Sequence, residues 1–133
     1  MAPSQTLFHL TPAAVWQDLS DDDVYFPATY EKDGFIHATS DASVLINIAN
    51  HFYKEIDGDW LCLETTVAIV EAAGIRVLFE APAPVGEKAP DIPGVEEGQR
   101  FPHIFGGLRR EMISAVHTIE RADDGTFLAI VGI

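Results

Sequence analysis

The chain carries 133 residues in 14.5 kDa, enough for one domain over 1–133 that buries roughly two-thirds of its unfolded surface without staples. Apolar residues make up 47% and charged residues 22%, which excludes a disordered chain. Eight Lys and Arg against twenty-one Asp and Glu give a net charge of −13, which disfavours non-specific nucleic-acid binding and anionic lipid. A small anion held by a local cluster of cations stays open.

In chain order, residues 5–10 alternate and read as a first strand. Thr11-Pro12 reads as a helix start, with Thr11 as N-cap and Pro12 at the first helical position. That helix would bury Val15, Trp16 and Leu19 and end in the solvated run Asp21-Asp22-Asp23. Residues 25–33 are turn-rich, and 34–38 read as a short second strand. Ser40 or Asp41 can cap a helix running to about residue 55, with Val44, Leu45, Ile48, Ala49 and Phe52 on one face. Residues 60–66 suggest a strand, 67–73 a short helix stopped by Gly74, and 75–80 another strand. Pro82, Pro84, Pro90 and Pro93 make 81–93 a loop that continues to Arg100, long enough to be a lid or a binding edge. The end reads as a hairpin, 112–121 and 126–131, turning at Asp123-Asp124-Gly125.

About six short strands and two or three helices, with helices early and strands late, give an α+β fold. No apolar run approaches the ~18 residues of a membrane span. The first residues lack the basic and apolar segments of a signal peptide, so a cytoplasmic protein is expected. The single cysteine, Cys62, excludes an internal disulfide and a cysteine-rich zinc module.

The sequence has no Gly-x-Gly-x-x-Gly, phosphate loop, Gly-x-Ser-x-Gly or His-x-x-x-His. Chemistry therefore falls to three histidines: His9 at the end of the first strand, His37 at the end of the second, and His103 after the long loop. Imidazole donates and accepts at once, which suits a ribose hydroxyl or proton transfer. Thr11 and Thr39 follow two of them closely. Each histidine taken alone is more often a satisfied core or edge residue, and three converging could hold zinc, although no ligand spacing calls for a metal. Arg100, Arg109 and Arg110 cluster around His103, with Phe101-Pro102 stiffening the approach and Gly106-Gly107 admitting a close backbone. They form either an anion cradle or a solvated loop paired with Glu96, Glu97 or Glu111.

Phe8-His9-Leu10-Thr11-Pro12 with Trp16, Gly34-Phe35-Ile36-His37, Phe52-Tyr53, and Gly98 with Phe101-Pro102-His103-Ile104-Phe105-Gly106 together resemble the domain of unknown function 952 family across essentially the whole chain. That family resembles the ADP-ribosyltransferase-like fold, which implies two small antiparallel sheets flanking a cleft, with two or three helices. Within that fold the motifs are similar to those of RNA 2′-phosphotransferases: His9 with Thr11 resembles the first, His37 with Thr39 the second. The resemblance implies a small nucleotide-like ligand, NAD or a relative, as substrate. His9, His37 and His103 would be catalytic, and Thr11, Thr39, Arg100, Phe101 and Arg109 would bind alongside them. Leu10 stands where the first motif has glycine, and no transferase-type glutamate is placed. The alternatives are a non-catalytic module binding a nucleotide or a protein, and a metal-dependent hydrolase.

Overall fold

Two antiparallel sheets share the apolar strands between them. The computed structural model describes residues 5–133. β1 (Thr6–Pro12) pairs with β3 (Trp60–Thr66) over seven residues, from Thr6 opposite Thr66 to Pro12 opposite Trp60. β6 (Ala115–Arg121) and β7 (Phe127–Ile130) extend this sheet in the order β1-β3-β6-β7. β2 (Ile36–His37), β4 (Arg76–Glu80) and β5 (Phe101–Phe105) form the second sheet, in the order β2-β5-β4. The helices are short: α1 (Ala13–Gln17), α2 (Tyr30–Asp33), α3 (Leu45–Phe52) and α4 (Val67–Ala72). The α+β architecture expected from the sequence is present, and no helix among the described residues is long and apolar enough to cross a membrane.

β1 and β3 are buried on both faces, so they read as continuous apolar runs rather than strict alternations. Leu7, Leu61 and Leu63 join Ile36, Val77 and Ile104 of the second sheet, with Trp16 and Val70, in one core. Phe8, Leu10, Trp60 and Cys62 turn the other way, against Leu45, Ile48 and Ala49 of α3 and against Phe127 and Ile130. β6 alternates as a half-buried strand should, and its hairpin with β7 turns at Gly125, whose φ of +96° suits glycine.

Three expectations change. β1 runs on through Pro12, so Pro12 and not Thr11 stands at the N-cap of α1; the Ala13 N–H donates instead to the Asp59 carbonyl at 2.8 Å. Tertiary pairing of β1 with β3 has outweighed the local capping preference, leaving Thr11 fully buried and Val15 exposed rather than on a core face. The helix expected up to residue 55 is a 3-10 turn at Ala42–Val44, capped by Asp41, followed by α3. The third change is β5, for which no strand was expected after the loop and which lies at the centre of its sheet.

Pro102 also explains how the sheets meet. Ala38 donates its N–H to the Pro102 carbonyl at 3.1 Å, and the return bond is missing because proline has no N–H. The β2–β5 ladder therefore ends at His37. One residue later the chain changes partner: Thr39 and Phe8 exchange two backbone hydrogen bonds of 2.8 Å. Residues 36–39 thus leave the second sheet for β1, and a cleft opens beside this crossing.

Candidate functional site

The three histidines meet at the crossing. His9, on β1, is 6% exposed; its Nδ1 lies 2.6 Å from the His37 carbonyl and its Nε2 2.7 Å from the Tyr25 hydroxyl. Tyr25 is also 3.0 Å from Thr11 Oγ1, where each hydroxyl can donate or accept. A carbonyl can only accept, so His9 carries its proton on Nδ1. Burial pushes its pKa down to about 4, so Nε2 is a bare acceptor facing the tyrosine. The same burial raises the Tyr25 pKa. His9 lines the cleft, but both its nitrogens are spent on protein partners.

His37 and His103 stand opposite each other in the β2–β5 ladder, ring centroids 5.8 Å apart, with Phe35 stacked on His103 at 4.0 Å. His37 Nε2 donates to Asp33 Oδ2 at 2.8 Å, and the Gly86 N–H donates to the same oxygen at 3.1 Å. Gly34, at φ +82°, ends the single turn α2 and lets the chain double back, so that Asp33 meets the histidine four residues on. Burial lowers the His37 pKa, against the raising effect of Asp33. With Nε2–H on the carboxylate, Nδ1 is left as a lone-pair acceptor, which is the arrangement of an oriented general base. His103 Nδ1 is bonded to Glu80 Oε1 at 2.9 Å in the same way.

Two cavities flank His37. The larger, about 240 Å³, runs past His9, Thr11, Tyr25 and Trp60; the smaller, about 40 Å³, lies against His103, Thr39, Phe101 and the loop residues Pro82 and Val85. Leu10, His37 and Tyr53 belong to both walls and form the partition. Tyr53 stacks on Trp60 at 4.4 Å, and burial raises its hydroxyl pKa. The Trp60 indole N–H is buried without a partner. No Lys, Arg, Asp or Glu lines either cavity; Asp33 and Glu80 stand behind the histidines they hold.

His9, Thr11, His37, Thr39, Phe101 and His103 therefore gather at one cleft. The arginines do not join them. Arg100 donates to the Phe79 carbonyl, and neither it nor Arg109 lines a cavity. Arg110 packs its guanidinium over Trp16 at 5.0 Å and donates to the Trp16 and Leu19 carbonyls at 2.7 and 2.5 Å. Of the two readings of these arginines, the anion cradle is not assembled at the cleft, where Arg100 and Arg110 turn instead to backbone carbonyls. Among the described residues no three His, Cys, Asp or Glu side chains come together as a metal-holding group. Asp33, Tyr25, Trp60 and Glu80 had no motif to announce them. Only the spacing of Asp33 and His37 around Gly34 was a usable sign.

The profile of the family described as Protein of unknown function (DUF952) matches residues 10–116. The chain belongs to the DUF952 family. Those limits take in His37, Tyr53 and His103 and stop just short of His9. No curated protein matches this DUF952 chain in sequence. Its fold is similar to that of protein CC0527 from Caulobacter crescentus, with a TM-score of 0.69 at 16% identity, covering 92% of this chain and 93% of that one. A double mutant of CC0527 gives a TM-score of 0.67 at 18% identity, with the same coverage. At such identities the likeness shows a shared fold.

Proposed function

We propose that this DUF952 protein binds a small ring-bearing ligand in the cleft around His37, with the His37–Asp33 pair as proton acceptor for a ligand hydroxyl. One observation carries the reading: a half-buried, carboxylate-oriented imidazole whose second nitrogen has no partner among the described residues, set between two cavities. The unpaired Trp60 N–H and the stacked Tyr53–Trp60 pair suit a planar ligand carrying an acceptor. The walls hold no cation, and a chain of net charge −13 favours an uncharged or cationic group there.

NAD fits this reading through its nicotinamide–ribose end, with the diphosphate left outside the cleft. The ADP-ribosyltransferase-like resemblance supports the same substrate. Cleavage of, or transfer from, the nicotinamide–ribose bond develops positive charge on the sugar, which Asp33 and Glu80 would favour from behind the histidines. The second reading, a binding module without turnover, is favoured by His9, whose two nitrogens are already engaged, and by Leu10 in the place of a motif glycine.

The test is a titration with NAD, ADP-ribose, nicotinamide and a 2′-phosphorylated nucleotide, followed by amide NMR, using wild type and His37→Ala. Nicotinamide-bearing ligands should shift His37 and Tyr53 and lose about tenfold or more in affinity in the variant. Identical affinity in both proteins, or no shift with any ligand, would remove the cleft reading. Release of nicotinamide from NAD, assayed beside binding, separates the enzyme from the module.

A further inference from the structure

One side of the smaller cavity is built by α3, through Ile48 and Phe52, and by the loop over 81–100, through Pro82, Val85 and Ile92. The far side of that same junction forms a separate pocket of about 360 Å³, lined by Asn47, Asn50, His51, Lys54, Lys88 and Pro93. At 100° per residue, the face carrying 47, 50 and 51 is centred about 125° around α3 from that carrying 48 and 52, so the two pockets open on different faces of one seam. The seam is stitched in two places. The His51 ring donates to the Ala89 carbonyl at 2.6 Å, and Gly94 lies so close to the Asn47 amide that a Cβ there would collide with it.

The charge of this pocket runs against that of the chain. Two of the three lysines line it, and no carboxylate does. The third, Lys32, is paired with Glu87 at 3.1 Å, whereas Lys54 and Lys88 have no ion pair among the described residues. Asp124 is the acid whose field reaches Lys54, and its carboxylate is bonded to the Thr126 N–H. Asn50 spends its amide on both backbone groups of Phe127, while the Asn47 amide has no hydrogen bond among the described residues. Like charges held on the two sides of a seam repel unless an anion lies between them, and lysine ammonium groups suit phosphoryl oxygens without demanding a fixed fork.

We infer that this pocket is a binding site for a small phosphoryl-bearing anion, which bridges Lys54 beyond α3 to Lys88 on the loop. The bridge clamps the loop that walls the cleft, so occupancy of the outer pocket steadies the inner one. The site is independent of the identity of the cleft ligand.

Pyrophosphate is the probe, titrated at constant ionic strength against sodium chloride and followed by amide NMR on wild type, Lys54→Gln, Lys88→Gln and the double variant. Both lysines are exposed, so the variants should keep their fold. Saturable shifts confined to 47–54 and 86–94 are expected, weakened about tenfold by each substitution. Hydrogen exchange over 81–100 should slow on saturation, and His37→Ala should bind pyrophosphate as wild type does. Shifts that never saturate, or that persist unchanged in the double variant, would reduce the pocket to ordinary solvated lysines. Localised binding with unaltered loop exchange would overturn the clamp.

Discussion

The cleft and the seam pocket share two elements, α3 and the 81–100 loop, yet they are built on opposite principles. Inside, His9, His37 and His103 are each fixed by a named acceptor or hydroxyl, and the carboxylates stand behind them. Outside, Lys54 and Lys88 are exposed and unpaired. Buried polar groups are mostly satisfied by the protein, so each inner histidine is oriented by a partner that sets which of its nitrogens is free. Surface cations need nothing from the fold, so the outer site is decided by where the chain happens to bring them.

Removing a group from the inner network should cost most. His9→Ala leaves the His37 carbonyl and the Tyr25 hydroxyl without their partner and opens a void, so urea unfolding should show a loss of about 3–4 kcal/mol. A loss below about 1 kcal/mol would mean that the inner site is no more built than the outer one. Acid should do the same without mutation. The His9 pKa is depressed to about 4 in the folded state against 6.5 unfolded, so the unfolded chain binds the extra proton. Its contribution is complete above about pH 6.5 and is lost as pH falls towards 4, by about 3 kcal/mol in total. A stability flat across that window, or a His9 ring that titrates near its ordinary value by NMR, would contradict the buried neutral state.

Arg121 ties the two regions together and gives a smaller effect. Its guanidinium donates to the Tyr53, Lys54, Gly58 and Gly125 carbonyls and lies over Phe127 at 4.4 Å. Tyr53 belongs to the cleft and Lys54 to the seam, so Arg121→Ala should loosen both, with a cost of about 2 kcal/mol by thermal or urea melting. Arg121→Lys should recover only part of it, because one ammonium cannot match the planar fork. Full recovery by lysine would show that charge alone holds the turn.

Much of the fold was legible because local chemistry and tertiary packing agreed. Asp41, one of two cap candidates, caps the turn before α3, the strand to Thr66 is followed by the short helix α4, and the last hairpin turns at Gly125. Where they disagreed, packing prevailed. Thr11 and Pro12 carry a helix-start signal but pair with Leu61 and Trp60, and Pro102 sits inside a central strand because its missing N–H falls where β2 ends. The candidate site followed the same division. The histidines were visible as residue types, although only His37 ends its strand while His9 and His103 lie within β1 and β5; Asp33, Tyr25 and Glu80 were not visible, since nothing local marks a side chain that acts by orienting another.

The sequence by itself determined the α+β class, the Asp41 cap, the closing hairpin and the three histidines worth following, because periodicity, caps and turns are local properties. Only the tertiary structure decided that β5 is a central strand, that 36–39 changes sheets and that Asp33 orients His37. It alone also decided that Arg100 and Arg110 turn to backbone carbonyls while two distant lysines line one pocket. Each of these is a contact between residues far apart in sequence or around a doubled-back turn, and such contacts are fixed by what the assembled cores leave buried or exposed.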